Sequence, residues 1–380
     1  MDRIANQSGT SGETASGDVR VWDAGVRLFH WLLVIFVAGA ALSGFFGPKN
    51  WLDFHLWAGY AAAALIAFRL VWGLTGATHA RFSSFPPSLA GVRAHLSGKH
   101  AAGYGHNPLG ALMVYALLAI IVALALTGLW TLGGVVRQGP LAALSSYASG
   151  RTAKEIHEFL AWGVIGLVAL HLGGVIFESR REKENLARAM VTGLKRPRPD
   201  STPKRAARPV VATLALLGLA AATFAIVSWA DRLPAPFIPS GPVLAEWKAE
   251  CGDCHTPHHP SLLPAASWEK IMATLDDHFG EDASLDAGAM ENIRDWLVAN
   301  AAGHYDTRAA NSFRQPDAAE PLRITATARW KRIHDDVPAE TFKRKDIGGP
   351  VNCAACHGDA ESGLFAPQKI NIPKPPKESS

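Results

Sequence analysis

The chain has 380 residues, of which 48% are apolar, with 37 Lys and Arg against 33 Asp and Glu. A net charge of +4 gives no electrostatic footprint for nucleic acid. The apolar residues are unevenly placed: long runs fill the first 230 positions, and the last 150 are polar, so the length divides into a membrane half and a soluble half.

Residues 1–19 are rich in Ser, Gly and Thr and predict a disordered tail. No cleavable signal peptide is expected, because the first apolar segment is a full span. Five apolar segments follow, at about 28–46, 55–74, 108–130, 156–177 and 210–230. Each approaches the roughly 20 residues that cross a hydrocarbon core of about 30 Å. Asn107 and Pro108 read as the N-cap and first-turn residues of the third. Loops on the side of the N-terminus carry sixteen Lys and Arg, and the opposite loops carry four. This bias predicts a cytoplasmic N-terminus and, after five crossings, an exterior placement of residues 231–380. The basic run from Arg180 to Arg208 then lies against the inner leaflet.

Ionisable residues in spans are rare and usually functional. Four histidines lie in or at the ends of these spans: His30, His55, His157 and His171. The last two share a helix, fourteen residues apart. That spacing puts them on one helix face, separated by about 21 Å along the axis. Alternating span directions match the levels of His30 with His171 (inner) and of His55 with His157 (outer). Each pair can clamp one non-covalent b-type haem between helices, giving two. Arg69 follows His55 by fourteen residues, at the level of the inner pair. A charge there needs a partner, and a haem propionate suits a bidentate guanidinium; the alternative is snorkelling to the headgroups. In the inner loop, His95, His100 and His106 read as solvated or at headgroup level.

The segment 231–242 is Pro-rich and predicts a short semi-rigid linker. All four cysteines then fall in two motifs, Cys251-Gly252-Asp253-Cys254-His255 and Cys353-Ala354-Ala355-Cys356-His357. This is the attachment pattern of c-type haem, with both thiols bonded to the porphyrin and the histidine on the iron. A zinc ribbon places its Cys pairs about 15–20 residues apart; here roughly a hundred residues separate them, and a thioredoxin-like dithiol needs neither histidine nor second copy. Helices are expected from an N-cap at Ser267 to about Phe279, from Ser284 to about Ala302, and from Thr325 to near Asp336, without convincing strands. His278 continues the apolar face of Trp268, Ile271 and Leu275, and His334 follows Trp330 by four residues. These two are the expected distal ligands. His258 and His259 come too soon after His255 to reach across its own haem, though either could serve the other, and His304 reads as a surface residue.

The fold expected is all-α: a membrane four-helix bundle binding two b haems, a fifth transmembrane helix, and a small, mainly helical periplasmic domain binding two c haems. The expected boundaries are a disordered cytoplasmic tail at 1–19, the bundle at 20–200, the fifth helix at 201–230, the linker at 231–242 and the dihaem domain at 243–380.

The residues Arg27, Leu28, Phe29, His30 and Trp31, then His55 with Gly59 and Tyr60, resemble the bacterial cytochrome b561 family, which includes the b-type subunits of Ni-Fe hydrogenases. So do Arg69 to Gly73, His79 to Phe82, Asn107 to Gly110, His157 and His171. The resemblance implies that the four histidines ligate two b haems and that electrons pass between quinone and a periplasmic partner. His79 in the inner loop, with Arg69 and Arg81 as further polar groups near the inner pair, is expected near a quinone pocket. The first Cys motif with Leu263, Pro264 and Trp268, then His278 to Ala283, Arg323 to Thr325, Trp330, His334, and the second motif with Ala360, Glu361 and Gly363, resemble the dihaem cytochrome c domain family of proteobacteria. That likeness implies bis-histidine ligation of both c haems; the extra histidines at 258 and 259 depart from the pattern and leave the first distal ligand open.

The resulting expectation is a four-haem electron conduit in the bacterial inner membrane, in contact with lipid and the quinone pool. No nucleophile, acid–base pair or flavin or nicotinamide fingerprint is visible. The exterior part carries 16 basic and 22 acidic residues, which favours a soluble c-type haem protein with a basic docking face. Two rivals remain: a periplasmic small-molecule reductase with an open c haem, and an anchor subunit partnered with a larger redox enzyme such as a hydrogenase.

Overall fold

The computed structural model describes residues 18–99, 103–197, 208–233 and 245–375. The expected tail up to residue 17, His100, and residues 234–242 of the expected linker lie outside the described residues. In chain order come β1 (Val19–Arg20), α1 (Ala24–Phe46), α2 (Leu52–Thr75), α3 (Leu89–Leu96), α4 (Pro108–Thr131), α5 (Tyr147–Arg181), α6 (Leu186–Thr192), β2 (Leu194–Lys195) and α7 (Pro209–Ala230). The polar half adds α8 (Ala245–Gly252), α9 (Ala265–Ala273), α10 (Ala287–Ala299), α11 (Arg308–Phe313), α12 (Ala328–Ile333) and α13 (Ala339–Lys343).

Five of these helices, α1, α2, α4, α5 and α7, are long and apolar enough to cross a membrane. At 23 residues α1 is about 34 Å long, enough for the hydrocarbon core. Large apolar side chains face outwards along them, such as Leu42, Leu74, Phe159 and Leu170. In lipid that exposure is favourable. Helix α5 starts nine residues before its apolar stretch, and the pairs Arg151–Glu155 and Lys154–Glu158 support its polar second and third turns at i,i+4 spacing. The predicted cap of α4 is present: Asn107 Oδ1 accepts from the Gly110 N–H at 2.7 Å.

The chain forms two compact units. The first contains residues up to Val34, Leu65–Ile120 and Gly163–Leu219. Asp23 starts α1 by accepting from the Val26 N–H at 2.8 Å, and its other oxygen takes the Trp72 indole N–H at 3.1 Å. The short antiparallel pair β1–β2, with Val19 opposite Lys195, joins the two ends of this unit. His95 corrects the sequence expectation. It is buried, with Nε2 3.0 Å from Glu178 Oε1, and Arg181 donates to its carbonyl. The pair ties α3 to the end of α5.

The second unit contains Ile35–Ala64, Ile121–Trp162 and the chain from Ala220 onwards. Its polar part is built on one core, in which Ile293 and Leu297 of α10 are sealed against Trp247, Leu262, Trp268 and Ile271. Each such side chain contributes about 1.5–3 kcal/mol on burial. The helix starts differ from those expected. Ser267 lies inside α9 and donates to Pro321 O, while Pro264 is the N-cap. Asp286 caps α10 in place of Ser284, accepting from the Gly288 and Ala289 N–H groups, since a carboxylate is the stronger acceptor. Thr327 caps α12 in place of Thr325.

Helix α4 ends in a π turn, Leu132–Val136, followed by Arg137 in the left-handed region at φ 61°. This conformation is costly for a non-glycine residue and is held here by its bonds. Arg137 is almost wholly buried, donates to Ser145 O at 2.6 Å and pairs with the carbonyl and carboxylate of Asp306. Burial opposes ionisation of Asp306, but bonds from the Tyr147 N–H, Asn311 and Arg137 outweigh it and hold its carboxyl below the usual range. Arg137→Ala is expected to destabilise this unit by roughly 3 kcal/mol, read as a lower midpoint in detergent unfolding, because it strands a carboxylate. A depressed folded-state pKa stabilises above the ordinary carboxylate value of about 4 and is lost as pH falls through the folded value. Asp306→Asn should therefore flatten the acid limb of the stability profile.

Candidate haem sites

The local sequence places each span histidine on a helix face, and tertiary packing brings the faces together. The rings of His30 on α1 and His171 on α5 have centres 6.4 Å apart. Those of His55 on α2 and His157 on α5 are 6.1 Å apart. The first pair belongs to one compact unit and the second to the other. In the polar part, His255 and His278 stand 6.4 Å apart and His334 and His357 6.1 Å apart. An imidazole nitrogen binds a first-row metal at roughly 2 Å and lies about 1.1 Å from its ring centre, so two imidazoles facing through one metal have centres about 6 Å apart. All four separations fit this requirement.

The hydrogen bonds also fit. His55 Nδ1 is 2.9 Å from Ala40 O, and His157 Nδ1 is 3.0 Å from Leu124 O. His255 Nδ1 is 2.9 Å from Thr256 O, and His334 Nδ1 is 2.9 Å from Trp330 O. A carbonyl only accepts, so each of these Nδ1 atoms carries the proton and each Nε2 keeps a free lone pair. That is the tautomer a metal needs, with the ring orientation fixed from behind. Ser43 and Thr127 hydroxyls sit beside the same Nδ1 atoms of His55 and His157, at 3.4 and 3.1 Å. A Cβ at Gly44 would lie 3.2 Å from His55 Cε1, and one at Gly128 3.2 Å from His157 Cε1. These two glycines let the neighbouring helices close onto the rings.

In the polar part, burial, with His334 alongside, lowers His357 to about 4, and burial followed by His255 lowers His278. Both are neutral near pH 7, the form that binds metal. Burial also raises the Cys251 and Cys353 thiols to about 11, far from the thiolate character of a redox dithiol. Ile271, Thr274, His278, Phe279, Leu322 and Arg323 line a groove beside the first motif. His258 lies nearer to His255 than His278 does, but its ring is 5.0 Å away and nearly parallel, too close for a metal between them. His259 is buried and bonded to Ser261. His304 is exposed, as expected.

Arg69 is buried in the first unit, its guanidinium 4.6 Å from the centre of the Phe82 ring, and Nη1 is enclosed. It therefore does not snorkel. His106, expected at headgroup level, is packed against Phe85 and Trp22 at 4.3 and 4.8 Å, with Nδ1 enclosed. Burial, with Arg69 and Lys195 beyond it, pushes its imidazole down to about 3. No local pattern marks His106, because its ring neighbours, Trp22 and Phe85, come from two other segments.

The pairing predicts a spectroscopic grouping. His30→Ala and His171→Ala should abolish the same b-type component, and His55→Ala and His157→Ala the other. His278→Ala and His334→Ala should each convert one low-spin c-type centre to high spin, while His304→Ala converts none. Low-temperature absorption spectra of the purified variants check this.

Residues 21–193 match the sequence model of the family described as Prokaryotic cytochrome b561, and residues 247–365 match that of Dihaem cytochrome c. A probable Ni/Fe-hydrogenase B-type cytochrome subunit of Cupriavidus necator is 25% identical over 231 residues, covering 50% of this chain and 95% of the relative. A protein of the same description from Rhizobium leguminosarum is 22% identical over 210 residues, covering 46% and 87%. Among solved structures, the dihaem cytochrome DHC of Rhodobacter sphaeroides is 41% identical over 32% of this chain and 95% of its own, with a TM-score of 0.25. The diheme cytochrome type c of Shewanella baltica is 36% identical over 35% and 95%, with a TM-score of 0.28. The chain thus combines a cytochrome b561 domain in residues 21–193 with a dihaem cytochrome c domain in residues 247–365.

Proposed function

We propose that this protein passes electrons between the quinone pool and a periplasmic acceptor, through two b-type and two c-type haems in the bacterial inner membrane. A redox electron-transfer role with b-type and c-type haems follows from the two domains that the chain combines. The finer reading is carried by one observation: four imidazole pairs with centres 6.1 to 6.4 Å apart. In this reading His30 with His171 and His55 with His157 hold the b-type groups. His255 with His278 and His357 with His334 hold the c-type groups, and Cys251, Cys254, Cys353 and Cys356 form their covalent bonds. The membrane part takes residues 20–200, the fifth span 201–230, the linker 231–242 and the periplasmic part 243–380. The positive-inside bias supports a cytoplasmic N-terminus.

Haem iron cycles between two oxidation states and so supplies one-electron transfer without moving atoms. The protein's own part is to fix the imidazole tautomers, exclude water and balance charge. Arg69, buried and stacked on Phe82, suits a propionate. The quinone is placed beside the His30–His171 pair, where His79, 6.2 Å from the ring of Tyr104, and Arg81 border the same unit. Such groups can bond a quinone carbonyl and carry protons. The acidic exterior supports a c-type acceptor with a basic face. The relatives named as hydrogenase B-type subunits support a second reading, in which a redox enzyme subunit is the partner.

His79→Ala is the direct test. It should slow reduction of all the haems by quinol about tenfold or more and leave reduction by dithionite unchanged. Unaltered quinol kinetics would remove the quinone site from this position.

A further inference from the structure

We infer that the two c-type sites work in a fixed order: the Cys353–His357 site takes electrons from the membrane helices, and the Cys251–His255 site delivers them to a basic soluble haem protein. The inference rests on the electron-transfer reading and is independent of where, or whether, quinone binds.

The order comes from what each site is seated on within the second unit. The chain after His357 turns back on itself, with the Gly358 N–H donating to Lys369 O at 3.0 Å and the Asn371 N–H to Cys356 O at 2.8 Å. The loop so formed carries Ala366, which is buried among Leu132, Val136, Leu52, Leu56 and Tyr60 at the ends of α4 and α2. Leu52 and Leu56 bracket His55, a member of the outer membrane pair. Beside this contact, Gln368 donates to Gln138 Oε1 at 2.7 Å. On the other side of the site, Asp336, two residues after His334, pairs with Lys49 at 2.9 Å, between α1 and α2. Both imidazoles of the second c-type site are therefore carried by segments that touch the membrane helices directly.

The first site is seated on the rest of its own domain. Beyond local turns, the hydrogen bonds of residues 246–286 among the described residues run to Asn292, Ala302, Pro321, Asn352 and Glu361. One of them connects the two sites: Thr256, next to His255, donates to Asn352, next to Cys353, at 2.9 Å. Cys254 is exposed, whereas Cys251, Cys353 and Cys356 are partly covered.

Charge divides in the same way. Residues 246–286 contain nine Asp and Glu against two Lys, while residues 328–369 contain six Asp and Glu against seven Lys and Arg. The acidic side chains nearest the first motif and its partner His278, namely Glu250, Asp253, Asp276, Asp277 and Glu281, are exposed. The free surface beside the first site therefore attracts a basic protein, and that beside the second is nearly neutral. Each passage moves one electron from the reduced outer b-type site, by way of the second and then the first c-type site, to the ferric haem of the acceptor. No proton or atom is transferred.

The test uses the full-length chain in detergent, reduced with dithionite and mixed by stopped flow with excess ferric horse-heart cytochrome c as the basic probe. In 10 mM salt (about a 30 Å screening length), the combined variant Asp253→Lys, Asp276→Lys and Asp277→Lys should react at least tenfold more slowly than wild type. The difference should shrink towards none at about 1 M salt. Asp335→Lys with Glu340→Lys, beside the second site, should change the rate less than twofold. With Cys353→Ala and Cys356→Ala, the remaining c-type absorbance should oxidise at the wild-type rate, while the b-type absorbance should decay at least tenfold more slowly. Either of two results overturns the order: slowing by the second set of charge reversals and not the first, or wild-type decay of the b-type absorbance without the second site. The charge variants keep every haem, so the exit arm decides even if loss of a haem unfolds the domain. Because no quinol is used, failure of His79→Ala to affect quinol kinetics would leave this result standing.

Discussion

The pairing of imidazoles across segments is the feature on which the rest depends, because coordination by two imidazoles, the use proposed for it, would be demanding. Such coordination would demand two rings with centres about 6 Å apart, each turning the edge that bears Nε2 towards the metal, with a lone pair on that nitrogen. Neither ring can supply its own partner, because residues on one helix that share a face lie stacked along it, not opposed across a gap. Each pair must therefore come from two separate segments, and the packing has to be accurate to a few tenths of an ångström. The bonds from Nδ1 of His55, His157, His255 and His334 to backbone carbonyls meet the demand from behind. Three of these acceptors, Ala40, Leu124 and Trp330, lie on helices, so those ring orientations are inherited from the helix, while that of His255 is set by the loop at Thr256.

The membrane and polar halves meet this demand differently. In the membrane half the histidines sit on long helices whose outward faces are apolar, and the polar atoms turn inward. Gly44 and Gly128 permit close approach at the His55–His157 pair. In the polar half the helices are short, and the aliphatic core is concentrated on α9 and α10. There the paired histidines lie at helix ends and turns: His278 follows α9 and precedes the turn at Phe279 and Gly280, both at positive φ, and His334 ends α12. The proposed covalent attachment of the porphyrin through two cysteines per site would suit such a scaffold, because it would fix one side of the group independently of packing. Arg137 and Asp306 then hold this half against the turn that ends α4.

Much of this is legible in the residues alone, and the boundary is physical. The two Cys-x-x-Cys-His motifs are local, and the chemistry dictates their spacing. The spans follow from apolar length, and the fourteen-residue interval between His157 and His171 follows from helix geometry. The distal candidates His278 and His334 follow from apolar faces. Helix starts in the polar half were less legible, since Ser284 and Asp286 compete for the same cap and a carboxylate two residues on is the better acceptor. What sequence does not reveal is contact between distant segments. His95 and His106 look like loop histidines until Glu178 and Phe85 are brought to them, and Arg137 is unremarkable until Asp306, 169 residues away, encloses it.

The central claim is that every iron is held by two histidines of this chain. Electron paramagnetic resonance of the air-oxidised, purified protein, integrated against total haem, tests it most directly. The account predicts four low-spin ferric centres per chain and no high-spin signal. A high-spin ferric haem signal in stoichiometric amount, or fewer than four low-spin centres, would contradict it.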